Sequence, residues 1–184
     1  AFDIYDGRIL WERPWTDLAH WPAAYRGPSM AADREAIYAV QGTTCHKLDP
    51  ANGTTVTTFE APKAEGAAGT PLWEYLAVTD RYIIGATGEP NIKKEWWSKA
   101  YPANSLIFVL DKRTGAPVWQ YRAKEAIDSN AIAIAENSLV LVDGRPRYPF
   151  LNFKKGDDGT PTPRTLLALH LDTGAVRWQR TDIS

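Results

Sequence analysis

The chain has 184 residues, enough for one domain with a sizeable core. Its hydrophobic fraction of 44% and charged fraction of 23% place it among ordinary folded proteins, and a net charge of −1 supplies no field to recruit nucleic acid or an anionic membrane. The one cysteine, Cys45, excludes a disulfide within the chain, and no apolar stretch approaches the roughly 20 residues of a transmembrane helix.

The opening, Ala1-Phe2-Asp3-Ile4-Tyr5-Asp6-Gly7, is not a signal peptide. It reads as mid-strand followed by a turn, so the natural start is expected upstream. Residues 1–6 and 8–13 form the two strands of an opening hairpin. A weak strand near Met30 and a clear one over 36–41 follow, then a hairpin turning at Gly53. Further on come 73–79 and 82–86, the run Leu106-Ile107-Phe108-Val109-Leu110, a turn at Gly115, and Pro117-Val118-Trp119-Gln120-Tyr121. The last group is 131–135, 138–142, Leu166-Leu167-Ala168-Leu169 and a strand after Gly174. β-branched and aromatic residues dominate these runs, and no stretch has helical periodicity.

The four turn glycines reveal a repeat. An apolar residue stands five places before each: Phe2, Leu48, Leu110 and Leu169. Four places before stand Asp3, Asp49, Asp111 and, in the last copy, His170, which takes the position of the turn Asp. Four places after stand Trp11, Thr57, Trp119 and Trp178; the second copy has Phe59 two residues further on. The Asp side chain accepts a backbone N–H within the turn, and the glycine takes the positive φ that closes the hairpin. A tryptophan recurring at one place is explained by packing between neighbouring units, so Trp11, Trp119 and Trp178 are expected to be buried structural docking residues. Two strands precede each of the Gly53, Gly115 and Gly174 hairpins, which makes each full unit four antiparallel strands.

The pattern Ala-x-Asp-x-x-Thr-Gly-x-x-x-Trp, as in Ala1-Phe2-Asp3 through Gly7 to Trp11 and Asp111-Lys112-Arg113-Thr114-Gly115 to Trp119, resembles the tryptophan-docking motif of PQQ-like (quinoprotein-type) β-propellers. That repeat occurs in quinoprotein dehydrogenases and in the outer-membrane assembly lipoprotein family. The resemblance spans essentially the whole chain. It implies an all-β propeller segment of about three and a half blades: a half blade over 1–15 and blades over about 28–61, 72–123 and 129–181. It also implies an extracytoplasmic location, in the periplasm or cell envelope. An open ring leaves an apolar blade face at each end, so the expected partners are the remaining blades of the same propeller or another copy of the chain.

Two insertions lengthen the later units, over 88–104 and 144–163. Both join a second strand to a third, so both are expected on one face, opposite the Asp-x-x-Thr-Gly turns and together with the linker over 13–28. That face would gather Trp21, Tyr25, Trp96, Trp97, Tyr101, Arg145, Arg147, Tyr148 and Phe150. Two readings stand: a ligand or protein-partner surface with aromatic anchors and a basic rim, or aromatics that pack the long loops down.

A PQQ dehydrogenase would imply an orthoquinone stacked on a tryptophan, a calcium ion held by carboxylates and an Asn, an Asp base, and often a vicinal disulfide. With Cys45 alone the last is impossible, and no residues match the calcium site, so no cofactor, metal or catalytic residue is assigned. His20, His46 and His170 lack metal-ligand spacing. Residues 154–159, Lys-Lys-Gly-Asp-Asp-Gly, lack the alternating oxygens and distal Glu of a calcium loop. Asn52-Gly53-Thr54 fits a glycosylation sequon but occupies the repeat's turn. The leading expectation is a non-catalytic propeller scaffold for protein or ligand binding. The rivals are part of a PQQ-dependent quinoprotein oxidoreductase whose active site lies outside this segment, and an accessory propeller fused to an unrelated enzyme.

Overall fold

The computed structural model describes residues 1–14, 28–63, 71–88, 103–144 and 164–181. All regular structure among them is β, in eleven strands. Strands β1 (Met30–Ala32), β2 (Ile37–Gln41), β3 (Thr44–Leu48) and β4 (Thr55–Glu60) form a four-stranded antiparallel sheet in sequence order. Strands β5 (Trp73–Val78), β6 (Tyr82–Thr87), β7 (Ala103–Asp111), β8 (Pro117–Ala135), β9 (Ser138–Asp143), β10 (Thr165–His170) and β11 (Val176–Arg180) form a seven-stranded one, also in sequence order. No described helix could cross a membrane.

The apolar run in β7 shows why the units stack. Successive side chains of a strand point to opposite faces. Leu106, Phe108 and Leu110 therefore enter one core with Tyr38, Val40, Cys45, Phe59, Trp73 and Ile83. Ile107 and Val109 enter the other with Ile84, Ile127, Leu139, Leu141, Leu167 and Leu169. A strand covered on both faces has no polar side to show, which is why it reads as unbroken hydrophobicity. Cys45 is a fully buried member of the first core, and burial pushes its thiol up to about 12, which keeps it protonated and inert.

Two sequence expectations are corrected. The segments 117–121 and 131–135 are one strand, not two joined by a linker. Ile127, midway along β8, pairs with Asn104 of β7 on one side and Asp143 of β9 on the other. Of the intervening residues, Arg122, Ile127 and Asp128 have ladder partners, and the outer strand of one unit runs on into the inner strand of the next. The register shifts on either side of Ile127 absorb the change of direction. The opening hairpin is also less regular than two full strands: it holds the single bridge Phe2–Ile9, with Asp3 N–H donating to the Arg8 carbonyl at 2.8 Å. Among the described residues no inner strand pairs with it.

The turns follow the residues. Gly7, Gly53, Gly115 and Gly174 have φ of +72°, +72°, +74° and +71°, a region that L side chains avoid. Each donates its N–H to the carbonyl four residues back, at 2.8–2.9 Å. The side chains of Asp3, Asp49 and Asp111 accept turn N–H groups at 2.8 Å. His170, in the Asp position, is matched by Thr173, whose hydroxyl accepts from Ala175 N–H at 3.3 Å.

Candidate binding face

Each unit meets the next by placing an aromatic ring on a turn glycine. The Trp11 indole N–H donates to the Pro50 carbonyl at 2.8 Å, and a Cβ added at Gly53 would fall 2.5 Å from its ring. The Trp119 indole donates to the Leu171 carbonyl at 2.7 Å, and a Cβ at Gly174 would fall 2.8 Å from that ring. Phe59, two residues off the tryptophan position, has the corresponding place at Gly115, 3.2 Å from the added Cβ. Glycine is needed at these turns twice over, for φ and for the ring. The expected burial is not met in full: Trp11 and Trp119 are partly exposed, and Trp178 is 45% exposed.

A second, polar clasp accompanies the rings. The Lys112 ammonium donates to Asp33 Oδ2 at 2.9 Å, both side chains being largely buried. Burial raises the Asp33 pKa, but the Lys112 ammonium and the N–H groups of Glu35 and Ala36 outweigh it and hold the carboxyl at about 2. One unit further on, the Tyr82 hydroxyl (2.7 Å), the Asn137 amide (2.6 Å) and Arg81 (3.4 Å) donate to Asp172. The first two hydrogen bonds keep its carboxyl below the usual range.

At the opposite face the strand ends carry a different chemistry. The connection over 88–104 leaves β6 at Thr87 and enters β7, while that over 144–163 leaves β9 at Asp143 and enters β10. Their anchoring residues Asn104 and Asp143 flank Ile127 from either side. The two insertions are therefore rooted side by side, at the strand ends away from Gly115 and Gly174. The five buried polar or charged side chains among the described residues are Glu74, Thr87, Asn104, Ser129 and Asp143; four lie at these strand ends and Ser129 lies in β8, two residues beyond Ile127. The Asn104 amide donates to Ser129 Oγ at 2.6 Å and to the Ile127 carbonyl at 3.3 Å. Ser129 Oγ reaches the Glu74 carbonyl at 3.4 Å. The Glu74 carboxylate lies against Gly88, where an added Cβ would stand 2.9 Å from Oε1. Asp143 accepts from the Tyr121 hydroxyl (2.7 Å) and from the N–H groups of Lys124 (2.8 Å) and Glu125 (3.0 Å). Burying polar groups costs free energy unless they are paired. A core that is otherwise apolar thus confines that cost to the face where the two long connections emerge.

The face residues named from sequence, Trp21, Tyr25, Trp96, Trp97, Tyr101, Arg145, Arg147, Tyr148 and Phe150, lie outside the described residues. The polar layer beneath was not legible in the sequence, since Glu74, Asn104, Ser129 and Asp143 form no motif and meet only through strand pairing. Among the described residues no three His, Cys, Asp or Glu side chains come together as a metal-holding group.

No protein-family model matches the sequence, and no curated protein matches it. Solved structures do resemble it. The quinohemoprotein alcohol dehydrogenase of Comamonas testosteroni matches 85% of this chain at a TM-score of 0.55 and 16% identity. The quinohemoprotein alcohol dehydrogenase ADHIIG of Pseudomonas putida HK5 matches 85% at 0.53 and 10% identity. The computationally designed protein Ika8 matches 83% at 0.51 and 14% identity. This chain spans only 27%, 26% and 35% of those three chains, respectively. The likeness is one of fold: the chain is an all-β segment resembling PQQ-like, quinoprotein-type β-propellers.

Proposed function

We propose that this segment is a non-catalytic β-propeller scaffold that binds a protein or ligand on the face carrying the two insertions, and that it works outside the cytoplasm. The observation that carries the reading is the buried polar layer of Glu74, Thr87, Asn104, Ser129 and Asp143, gathered where the anchors of the two insertions, Asn104 and Asp143, both pair with Ile127. Ring-on-glycine joints and the largely buried Lys112–Asp33 ion pair make the blades a stiff support. Long connections held on a stiff support are where such folds place recognition. The sequence of the two insertions offers Trp96, Trp97 and Tyr101, residue types that dominate binding energy, together with the basic Arg145 and Arg147.

The test uses the 184-residue chain as an immobilised bait for a cell-envelope extract, alongside Trp96→Ala/Trp97→Ala and the turn-face control Arg113→Ala. The expected result is a partner held by the parent and the control and lost by the double variant, whose thermal midpoint is unchanged. Capture that survives the double variant, or that is lost with Arg113→Ala, contradicts the reading. A lowered midpoint in the double variant would show instead that the tryptophans pack the loop.

A further inference from the structure

The turn at Gly53 holds a chemically labile dipeptide. The residue before the turn glycine is Asp6, Asn52, Thr114 or Thr173 in the four repeats, so Asn52 alone offers a side-chain amide there. Asn52-Gly53 is also the one Asn-Gly pair in the sequence. Glycine is required at this place by its φ of +72° and by Trp11, whose Cε3 would lie 2.5 Å from an added Cβ. The same lack of a side chain leaves nothing to hinder attack of the Gly53 nitrogen on the neighbouring Asn52 carboxamide.

The geometry presents one reactant and withholds the other. Asn52 is exposed. Its Oδ1 accepts from the Thr54 N–H at 2.9 Å, which polarises the carboxamide and folds it back over the Gly53 peptide. Gly53 itself is buried, and its N–H donates to the Asp49 carbonyl at 2.8 Å. An amide held in that way keeps its proton and is no nucleophile. Three contacts clamp this turn shut. The Trp11 ring covers Gly53, its indole N–H donates to the Pro50 carbonyl at 2.8 Å, and Arg13 donates to the Gly53 carbonyl at 3.0 Å.

We propose that Asn52 is a site of self-modification governed by the Trp11 joint: when the ring lifts off Gly53, Asn52 deamidates through a cyclic imide. A base takes the Gly53 amide proton, the nitrogen bonds to Asn52 Cγ, and Nδ2 leaves as ammonia. Water then opens the imide, with no change of oxidation state. Cleavage of the new bond to Cγ gives aspartate; cleavage of the bond to the Asn52 main-chain carbonyl carbon gives isoaspartate. Aspartate fits the turn. Asp6 stands at the same position of the first repeat, where its Oδ1 accepts the Arg8 N–H at 2.9 Å and the Gly7 N–H still reaches the Asp3 carbonyl at 2.9 Å. Isoaspartate routes the main chain through Cβ and Cγ, and the added atom displaces Gly53 from Asp49 and from the ring. The joint that delays the reaction is thus the joint that its product disrupts. The inference does not depend on the proposed binding face, which lies at the other ends of the strands.

The test is peptide mapping by mass spectrometry of the 184-residue chain held in mildly alkaline buffer, with chromatography to separate the aspartate and isoaspartate products. The folded parent, folded Trp11→Ala and the parent unfolded in guanidinium chloride are compared. Asn52 is expected to deamidate readily in the unfolded chain and slowly in the folded parent. Loss of the ring and its hydrogen bond should open the turn more often and speed the folded reaction about tenfold in Trp11→Ala. If Trp11→Ala does not fold, Trp11→Phe takes its place; it loses the bond to Pro50 and should react about fivefold faster than the parent. Protein aged to isoaspartate should melt below the parent, whereas Asn52→Asp should match it. Equal rates in the folded parent and the Trp11 variant overturn the inference, as does a folded parent that reacts as fast as the unfolded chain. So does Asn52 that stays intact when unfolded, or isoaspartate that leaves the thermal midpoint unchanged.

Discussion

Gly7 and Gly53 share a φ of +72° and differ in what lies above them, so replacing each with alanine separates backbone strain from ring docking. An L residue in the left-handed region costs about 1–2 kcal/mol, and both variants carry that term. At Gly7 the methyl enters open space. At Gly53 it would stand 2.5 Å from Trp11 Cε3, far inside van der Waals contact, so the indole must move. Forcing a ring from a packed position costs about 1–3 kcal/mol, and losing its 2.8 Å hydrogen bond to Pro50 about 1 kcal/mol more. Gly53→Ala should therefore be about 2–4 kcal/mol worse than Gly7→Ala, read by urea denaturation of dilute protein. Repeating Gly53→Ala in a Trp11→Ala background should bring its cost down to the strain alone. Equal costs for Gly7→Ala and Gly53→Ala would refute the claim that the ring sits on the glycine.

Three further outcomes follow from the geometry. Trp119→Phe keeps a ring over Gly174 but removes the 2.7 Å bond to Leu171, and should cost about 1–2 kcal/mol in the same denaturation assay. Asp33 is held at about 2 when folded, against an ordinary value of 3.8. Its contribution is complete above pH 4 and is lost as pH falls toward 2; an acid titration of stability should show this loss in the parent and not in Asp33→Asn. Asp143→Ala strands the Tyr121 hydroxyl and two backbone N–H groups and should destabilise by about 2–4 kcal/mol in thermal melts.

The fold was legible because its signals are local. The four turns need a glycine at positive φ, three of them have an Asp four residues earlier, and β7 is apolar on both faces because cores lie on both sides of it. What the sequence hid is what strand pairing alone creates. Ile127 gives no sign of joining two units, since residues 124–130 lack the alternation of a half-buried strand; the partners of Ile127 itself, Asn104 and Asp143, are distant in sequence. Phe59 was recorded only as a displaced aromatic, and the 3.2 Å approach to Gly115 shows what the displacement preserves. Trp178 shares its motif position with Trp119, yet a motif cannot say whether a neighbouring turn lies over it.

A scaffold without quinone chemistry should not retain PQQ. The chain is incubated with the quinone and calcium, passed through gel filtration, and the quinone absorbance of the protein fraction is measured. No quinone should elute with the protein. One equivalent of quinone eluting with the protein would contradict it.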